Sequence, residues 1–214
     1  MKTAAGTAVR LVIYLVGIFL VSLGIVLCKR SNLGISPISS IPYALEDLIP
    51  LSFGTLTMLF HFVNIAMQLL LLREPGKFRI LLQVPLAFAF GCVIDWIQTW
   101  LVFDGTILSY QIIALFASIF ATALGMVCMI HMNLIQNPPD GLVRMISQKR
   151  NVELGKVKII YDCLCVVIST VMSLVFLGNA KGLGAATILS MLLVGRTVTW
   201  LRIRMDSVRD AVLS

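Results

Sequence analysis

The chain has 214 residues, 59% of them hydrophobic and 13% charged, with a mean hydropathy of +0.98 and a formal net charge of +7. That composition excludes an ordinary soluble domain, in which about half the residues are apolar and about a quarter charged. The Lys and Arg excess carries no interleaved aromatic pattern, so it points to membrane topology and anionic lipid rather than to nucleic acid.

Six apolar runs set the predicted spans: 9–28, 51–72, 80–102, 107–131, 157–177 and 183–201. Each is long enough to cross a hydrocarbon core of roughly 30 Å as an α-helix. The first, with Lys2 and Arg10 ahead of it, reads as a retained helix rather than a secretory signal. It is too long for one, and no small-x-small site precedes Lys29 and Arg30.

After the first span comes an unusual stretch, residues 30–45, reading Arg-Ser-Asn-Leu-Gly-Ile-Ser-Pro-Ile-Ser-Ser-Ile-Pro-Tyr-Ala-Leu. Ser36 before Pro37 is a good N-cap and N1 pair, and predicts a short helix over about 37–48. The second span carries His61, Asn64 and Gln68 at i, i+3 and i+7, on one face. Asp95 lies in the outer third of the third span, within geometric reach of Arg30 for an ion pair. After the fourth span, residues 131–146 repeat the pattern of 30–45, with Asn137 before Pro138 predicting a second short helix over about 138–148. Within it, Asp140 and Arg144 are spaced to pair with each other. The fifth span carries Asp162, Cys165 and Ser169 at the spacing of His61, Asn64 and Gln68. Tyr43, Tyr110, Trp100 and Trp200 suit interfacial anchors.

These likenesses are one repeat. Leu23, Gly24, Val26, Asn32, Leu33, Pro37 and Gly54 recur as Leu124, Gly125, Val127, Asn133, Leu134, Pro138 and Gly155, at a constant offset of 101. The same register aligns Arg30 with His131 and His61 with Asp162. The third and sixth spans match more loosely, through Gly91 and Trp96 with Gly195 and Trp200. Three spans per copy force the second copy to enter from the opposite side. The predicted fold is therefore all-α: a polytopic membrane protein forming a single domain, 1–214, with six transmembrane helices as an inverted 3+3 repeat (about 8–103 and about 107–203). A short re-entrant or interfacial helix follows helices 1 and 4.

With the N-terminus inside, Lys2, Arg10, Arg73, Lys77, Arg79, Arg144, Lys149, Arg150, Lys156, Lys158, Arg202, Arg204 and Arg209 fall inside. Outside lie only Lys29, Arg30 and Lys181, while Arg196 sits within the last span. The bias places both termini in the cytoplasm.

The runs at 30–40, 138–144 (Pro-Pro-Asp-Gly-Leu-Val-Arg) and 155–162 (Gly-Lys-Val-Lys-Ile-Ile-Tyr-Asp) resemble the YczE/YyaS/YitT group of bacterial integral membrane proteins, closest to the YczE branch. The resemblance covers nearly the whole chain and implies a protein of the bacterial cytoplasmic membrane; it implies little chemistry. Ile135-Gln136-Asn137 and the second proline, Pro139, depart from the pattern.

Ionisable groups inside a bilayer are costly, so each is a candidate for function. Arg30, Asn32, Ser36, His61, Asn64, Asp95, His131, Asn137, Asp140 and Asp162 form the candidate set for binding a solute or ion. The expected function is a secondary transporter or facilitator of a small solute or proton, with its site at the repeat interface and the lipid bilayer around it; homo-oligomerisation is left open. The alternative is a non-transporting membrane scaffold or accessory subunit, its polar stripes acting as glue between helices. No His-Glu-x-x-His site, nucleophile elbow, phosphate loop or Cys/His ligand cluster occurs, so no enzyme activity, metal or cofactor is expected. Cys28, Cys92, Cys128, Cys163 and Cys165 read as small hydrophobes of the spans.

Overall fold

The computed structural model describes residues 4–72, 77–102, 107–132, 134–179 and 182–213, and the side chains of 8–72, 78–102, 107–132, 134–179 and 182–205. Lys2, Arg73 and Lys181 of the charge count, and Asn133 of the repeat, lie outside the described residues.

The described residues form helices α1 (Ala4–Arg30), α2 (Pro37–Leu45), α3 (Phe53–Leu71), α4 (Lys77–Leu81), α5 (Gln83–Trp100), α6 (Leu108–Met132), α7 (Pro138–Arg150), α8 (Leu154–Leu177) and α9 (Ala185–Leu213). Six segments are long and apolar enough to cross a bilayer, within α1, α3, α4–α5, α6, α8 and α9. The chain is a multi-pass, all-helical membrane protein.

The helical hydrogen-bond ladder of the third span is interrupted at Leu82, between α4 and α5, because Pro85 has no amide for the carbonyl of Leu81, while Leu82 itself keeps helical dihedrals. α2 and α7, at 9 and 13 residues, are too short to cross. Ser36 and Asn137 precede them as expected, but neither side chain caps its own helix. Two prolines at the start of α7 remove donors that a cap would serve.

The core is built around α1 against α6. A Cβ on Gly17 would meet the Gly125 carbonyl, and one on Gly24 would collide with Ser118 and Thr122. Small residues at these points let the two backbones touch. As numbering rises along α1 it falls along α6, so the helices are antiparallel. Their C-termini, and the α2 and α7 segments that follow, therefore lie at opposite ends of the bundle.

The remaining contacts come in matched sets. α2 packs on α8 and on α3; α7 packs on α3 and on α8; α5 packs on α1 and α9 on α6. One match fails. α3 and α5 are closely packed, with a Cβ on Gly91 placed 2.9 Å from the Gly54 carbonyl. Among the described residues α8 and α9 make no comparable contact: Gly195 has nothing within 4 Å of a built Cβ, and Gly155 only Glu153 at 3.8 Å.

The non-helical segments are held by protein. Ile35 N donates to the Gly182 carbonyl at 3.0 Å, and Ala186 N to the Leu33 carbonyl at 3.0 Å. Ahead of α7, the Tyr14 hydroxyl donates to the Ile135 carbonyl at 2.9 Å. Paired backbone is what allows irregular chain inside a membrane protein.

Candidate functional site

The polar stripe of α3 divides its work. Gln68 Nε2 donates to Gln83 Oε1 of α5 at 2.9 Å and to the Pro138 carbonyl at 3.0 Å, tying the start of α7 to α3. Asn64 Oδ1 accepts from the Tyr161 hydroxyl of α8 at 2.7 Å. These two are interhelical fasteners. His61 is 1% exposed, stands edge-on to Phe90 with ring centroids 5.5 Å apart, and its Nδ1 has no hydrogen-bond partner.

His61 borders a central chamber of about 210 Å³, lined by α1, α2, α3, α5, α6, α7, α8 and α9. Ser36, Pro37 and Ser39 bring in the first turn of α2; Asn137 and Asp140 bring in that of α7. Thr57, Lys158, Asp162, Ser118, Thr122 and Ser190 complete the polar lining, and Ile25, Met126, Met191 and Val194 make much of the rest apolar. Met126, Met129, Asn137, Asp140 and Lys158 also border a vestibule of about 450 Å³ at the α7 end, with Arg144 and Arg202 on its walls. Toward the α2 end lies an apolar cluster centred on Val26, Ile35 and Phe53, all fully buried. Beyond it, Lys29 pairs with Glu46 at 2.6 Å and donates to Gln98 at 2.7 Å.

The charges of the chamber are a triad. Lys158 Nζ lies 3.0 Å from Asp162 Oδ1 and 3.5 Å from Asp140 Oδ1. Asp140 therefore turns to α8 rather than to Arg144. The Asp162 side chain is 9% exposed and the Lys158 side chain 31%. Two carboxylates against one ammonium leave a formal charge of −1. A second unpartnered atom, Asn137 Oδ1, is buried here too.

Five expected site residues thus meet in one place: Ser36, His61, Asn137, Asp140 and Asp162. Lys158 was counted only as a topology charge; its i, i+4 spacing to Asp162 is the signal that reveals it. The other candidates lie off the chamber. Asn32, with φ of 55°, terminates α1 in the left-handed region. His131 Nδ1 contacts the Val127 carbonyl at 3.0 Å, within its own helix. Arg30 does not pair with Asp95: Arg30 Nη2 donates to the Gln98 carbonyl at 3.2 Å, while Asp95 is drawn to the start of α3. There it accepts from Gly54 N at 2.8 Å and from the Ser52 hydroxyl at 2.5 Å. An anionic cap on a helix N-terminus is favourable in itself, and it competes directly with an arginine partner. Asp95→Ala should destabilise the detergent-solubilised protein by about 1–2 kcal/mol in thermal unfolding, the usual loss for a cap. It should leave solute binding at the chamber intact; lost binding with unchanged stability would make Asp95 a site residue instead.

Of the aromatic anchors, Trp100, Trp200 and Tyr110 are exposed on the helix surfaces, but Tyr43 is packed edge-on against Phe53, 6.3 Å between centroids. Cys28, Cys128 and Cys165 are buried, whereas Cys92 and Cys163 are exposed. Among the described residues no group of three or more His, Cys, Asp or Glu is placed to hold a metal.

Residues 8–203 match the family described as "Family of unknown function (DUF6198)". No curated protein and no solved structure matches the chain. With nearly its whole length covered, the chain belongs to the family DUF6198.

Proposed function

We propose that the protein is a secondary carrier or facilitator of a small solute, built as an inverted repeat and working by alternating access. The observation that carries this is the chamber: it gathers His61, Asp162 and the first turns of both short helices, and it shares Met126, Met129, Asn137, Asp140 and Lys158 with the vestibule at the α7 end. An interhelical glue needs no such space.

Three features support the inverted repeat. Exchange of α1 with α6, α2 with α7, α3 with α8 and α5 with α9 carries most helix contacts into one another. The 101-residue register maps Gly17 onto Ser118 and Gly24 onto Gly125, so the Gly17–Gly125 and Gly24–Ser118 contacts are the same contact seen twice. The Ser40 hydroxyl of α2 donates to the Cys165 carbonyl, halfway along α8, at 3.2 Å, which favours a re-entrant α2. On the charge distribution the α7 end is cytoplasmic, and the chamber is then open inward and closed outward. The failed match is the moving part of this reading: α3 and α5 are closed at Gly54 and Gly91, and α8 and α9 are parted at Gly155 and Gly195. Exchanging the two arrangements opens the chamber to the other side, as in carriers that rock one repeat against the other.

The resemblance at 30–40, 138–144 and 155–162 fits a bacterial inner-membrane protein of the YczE type. The scaffold reading keeps one observation in its favour, since α8 and α9 are the least buried spans and offer faces to a partner or a second copy.

The test uses a background with the native cysteines replaced. Met126→Cys should react with a membrane-impermeant thiol reagent from the cytoplasmic side. Gly155→Cys with Gly195→Cys should form a short cross-link that protects Met126→Cys from that side. Solutes that differ between cells lacking and overproducing the protein are then loaded into proteoliposomes, and Asp162→Asn should slow their flux at least tenfold. Equal labelling from both sides, or unchanged flux in both Asp162→Asn and His61→Leu, would sink the carrier reading and leave the scaffold.

A further inference from the structure

The chamber is dipolar along a specific direction, and its polarity suits a particular kind of solute. At one pole is the first turn of α2, which contains no acidic residue and begins with Pro37. The partial positive charge of a helix N-terminus is therefore unanswered there. Ser36 donates to Ser39 at 3.1 Å, which leaves the Ser39 hydroxyl as the last donor of that chain, and both residues line the chamber. The N-terminus of α7 differs. It carries its own carboxylate, Asp140, in its first turn, so it belongs to the opposite pole. That pole holds Asp140, Lys158 and Asp162, with a formal excess of one negative charge, and Asn137, which directly precedes α7, adds an unpartnered carbonyl oxygen, Oδ1; the unpartnered Nδ1 of His61 borders the same chamber.

The two poles are carried by helices that pack on each other, α2 and α8. Ser40 of α2 rests on the Cys165 carbonyl, and Cys165 is three residues from Asp162 on α8, roughly one helical turn or about 5 Å. Ile25, Met126, Met191 and Val194 give the chamber apolar walls, alongside the hydroxyls of Ser118, Thr122 and Ser190. The chamber itself is below the roughly 300–1,000 Å³ of pockets for drug-sized ligands, which favours a small solute.

We infer that the chamber binds a small zwitterion of the α-amino-acid class, with its carboxylate at the first turn of α2, its ammonium on Asp162 and an aliphatic body against the methionine wall. The inference rests on the carrier reading for its biological sense, but not for its physics. An ammonium cancels the excess negative charge, a carboxylate answers the bare N-terminus of α2, and the bound solute adds no net charge to a low-dielectric site. A simple cation serves only one pole, and a simple anion only the other.

The purified protein in detergent is titrated with L-leucine, L-methionine and L-alanine, and with two analogues carrying a single charge, 4-methylpentanoate and 3-methylbutylamine. Affinity is read by calorimetry and by the shift in thermal midpoint. At least one amino acid should bind ten-fold or more tightly than both analogues. Asp162→Asn should erase the advantage of leucine over 4-methylpentanoate, and Ser39→Ala should reduce its advantage over 3-methylbutylamine. Ser39→Ala, the milder change, reads the carboxylate pole even if Asp162→Asn fails to fold. The proposal is overturned if the monocation or the monoanion equals the amino acids, or if no amino acid binds. Binding without flux in proteoliposomes would instead overturn the carrier reading and spare the zwitterion; flux of a simple cation would do the reverse.

Discussion

Alanine at Gly54 should destabilise the protein by about 1–3 kcal/mol, the usual cost of overpacking a tight contact, whereas alanine at Gly155, its counterpart 101 residues later, should not. The added methyl at Gly54 runs into the Gly91 carbonyl and the Asp95 carboxyl. At Gly155 the nearest atom is Glu153 Oε1 at 3.8 Å, and the gain in helix propensity over glycine, about 1 kcal/mol at most, favours the variant. Thermal unfolding in detergent should separate the pair clearly, with Gly54→Ala lowering the midpoint by roughly 3–10 °C. Gly91→Ala and Gly195→Ala should behave in the same way. The carrier reading adds a second expectation. Gly155→Ala and Gly195→Ala obstruct the closed arrangement of α8 and α9, so they should fold normally yet transport slowly. Equal destabilisation in both halves would mean that α8 and α9 are already packed in the membrane.

Removing Lys158 should be more damaging than removing either of its partners. Lys158→Met leaves Asp140 and Asp162 facing one chamber without their common cation, at former distances of 3.5 and 3.0 Å. Breaking a buried pair from one side costs roughly 3 kcal/mol or more; the partial exposure of Lys158 argues for the lower end. Adding Asp162→Asn to Lys158→Met should recover most of that loss. Asp140→Asn should recover less, since its side chain is 28% exposed and its contact is longer. A double-mutant cycle by thermal unfolding measures the coupling. Additive effects would show that the triad is not an interacting unit.

The six spans were legible because a bilayer demands length and apolarity, and both are local properties of sequence. The register of the repeat also carried further than expected, since it pointed to His61 and Asp162 together, and both line the chamber. Side-chain partners were less legible. Depth alone matches Arg30 with Asp95 and ignores the backbone amide of Gly54, a rival donor to the Asp95 carboxylate. Asn64 and Gln68 shared a helical face with His61, yet Tyr161 and Gln83 engaged them; which neighbour faces a stripe is a matter of tertiary packing. The interruption before α5 was written locally, in Pro85, but hydropathy alone passes over it.

The α1–α6 contact has a genetic implication. A surface that mates with its own counterpart, Gly17 to Gly125 and Gly24 to Ser118, is the kind by which two copies of a half-length polypeptide would recognise each other in opposite orientations. On the inverted-repeat reading, the single chain keeps that recognition although its halves differ at Arg30 and His131. Severing the connection between α5 and α6 and co-expressing the two fragments should therefore still yield an assembled protein, because the join supplies proximity and the helices supply the pairing.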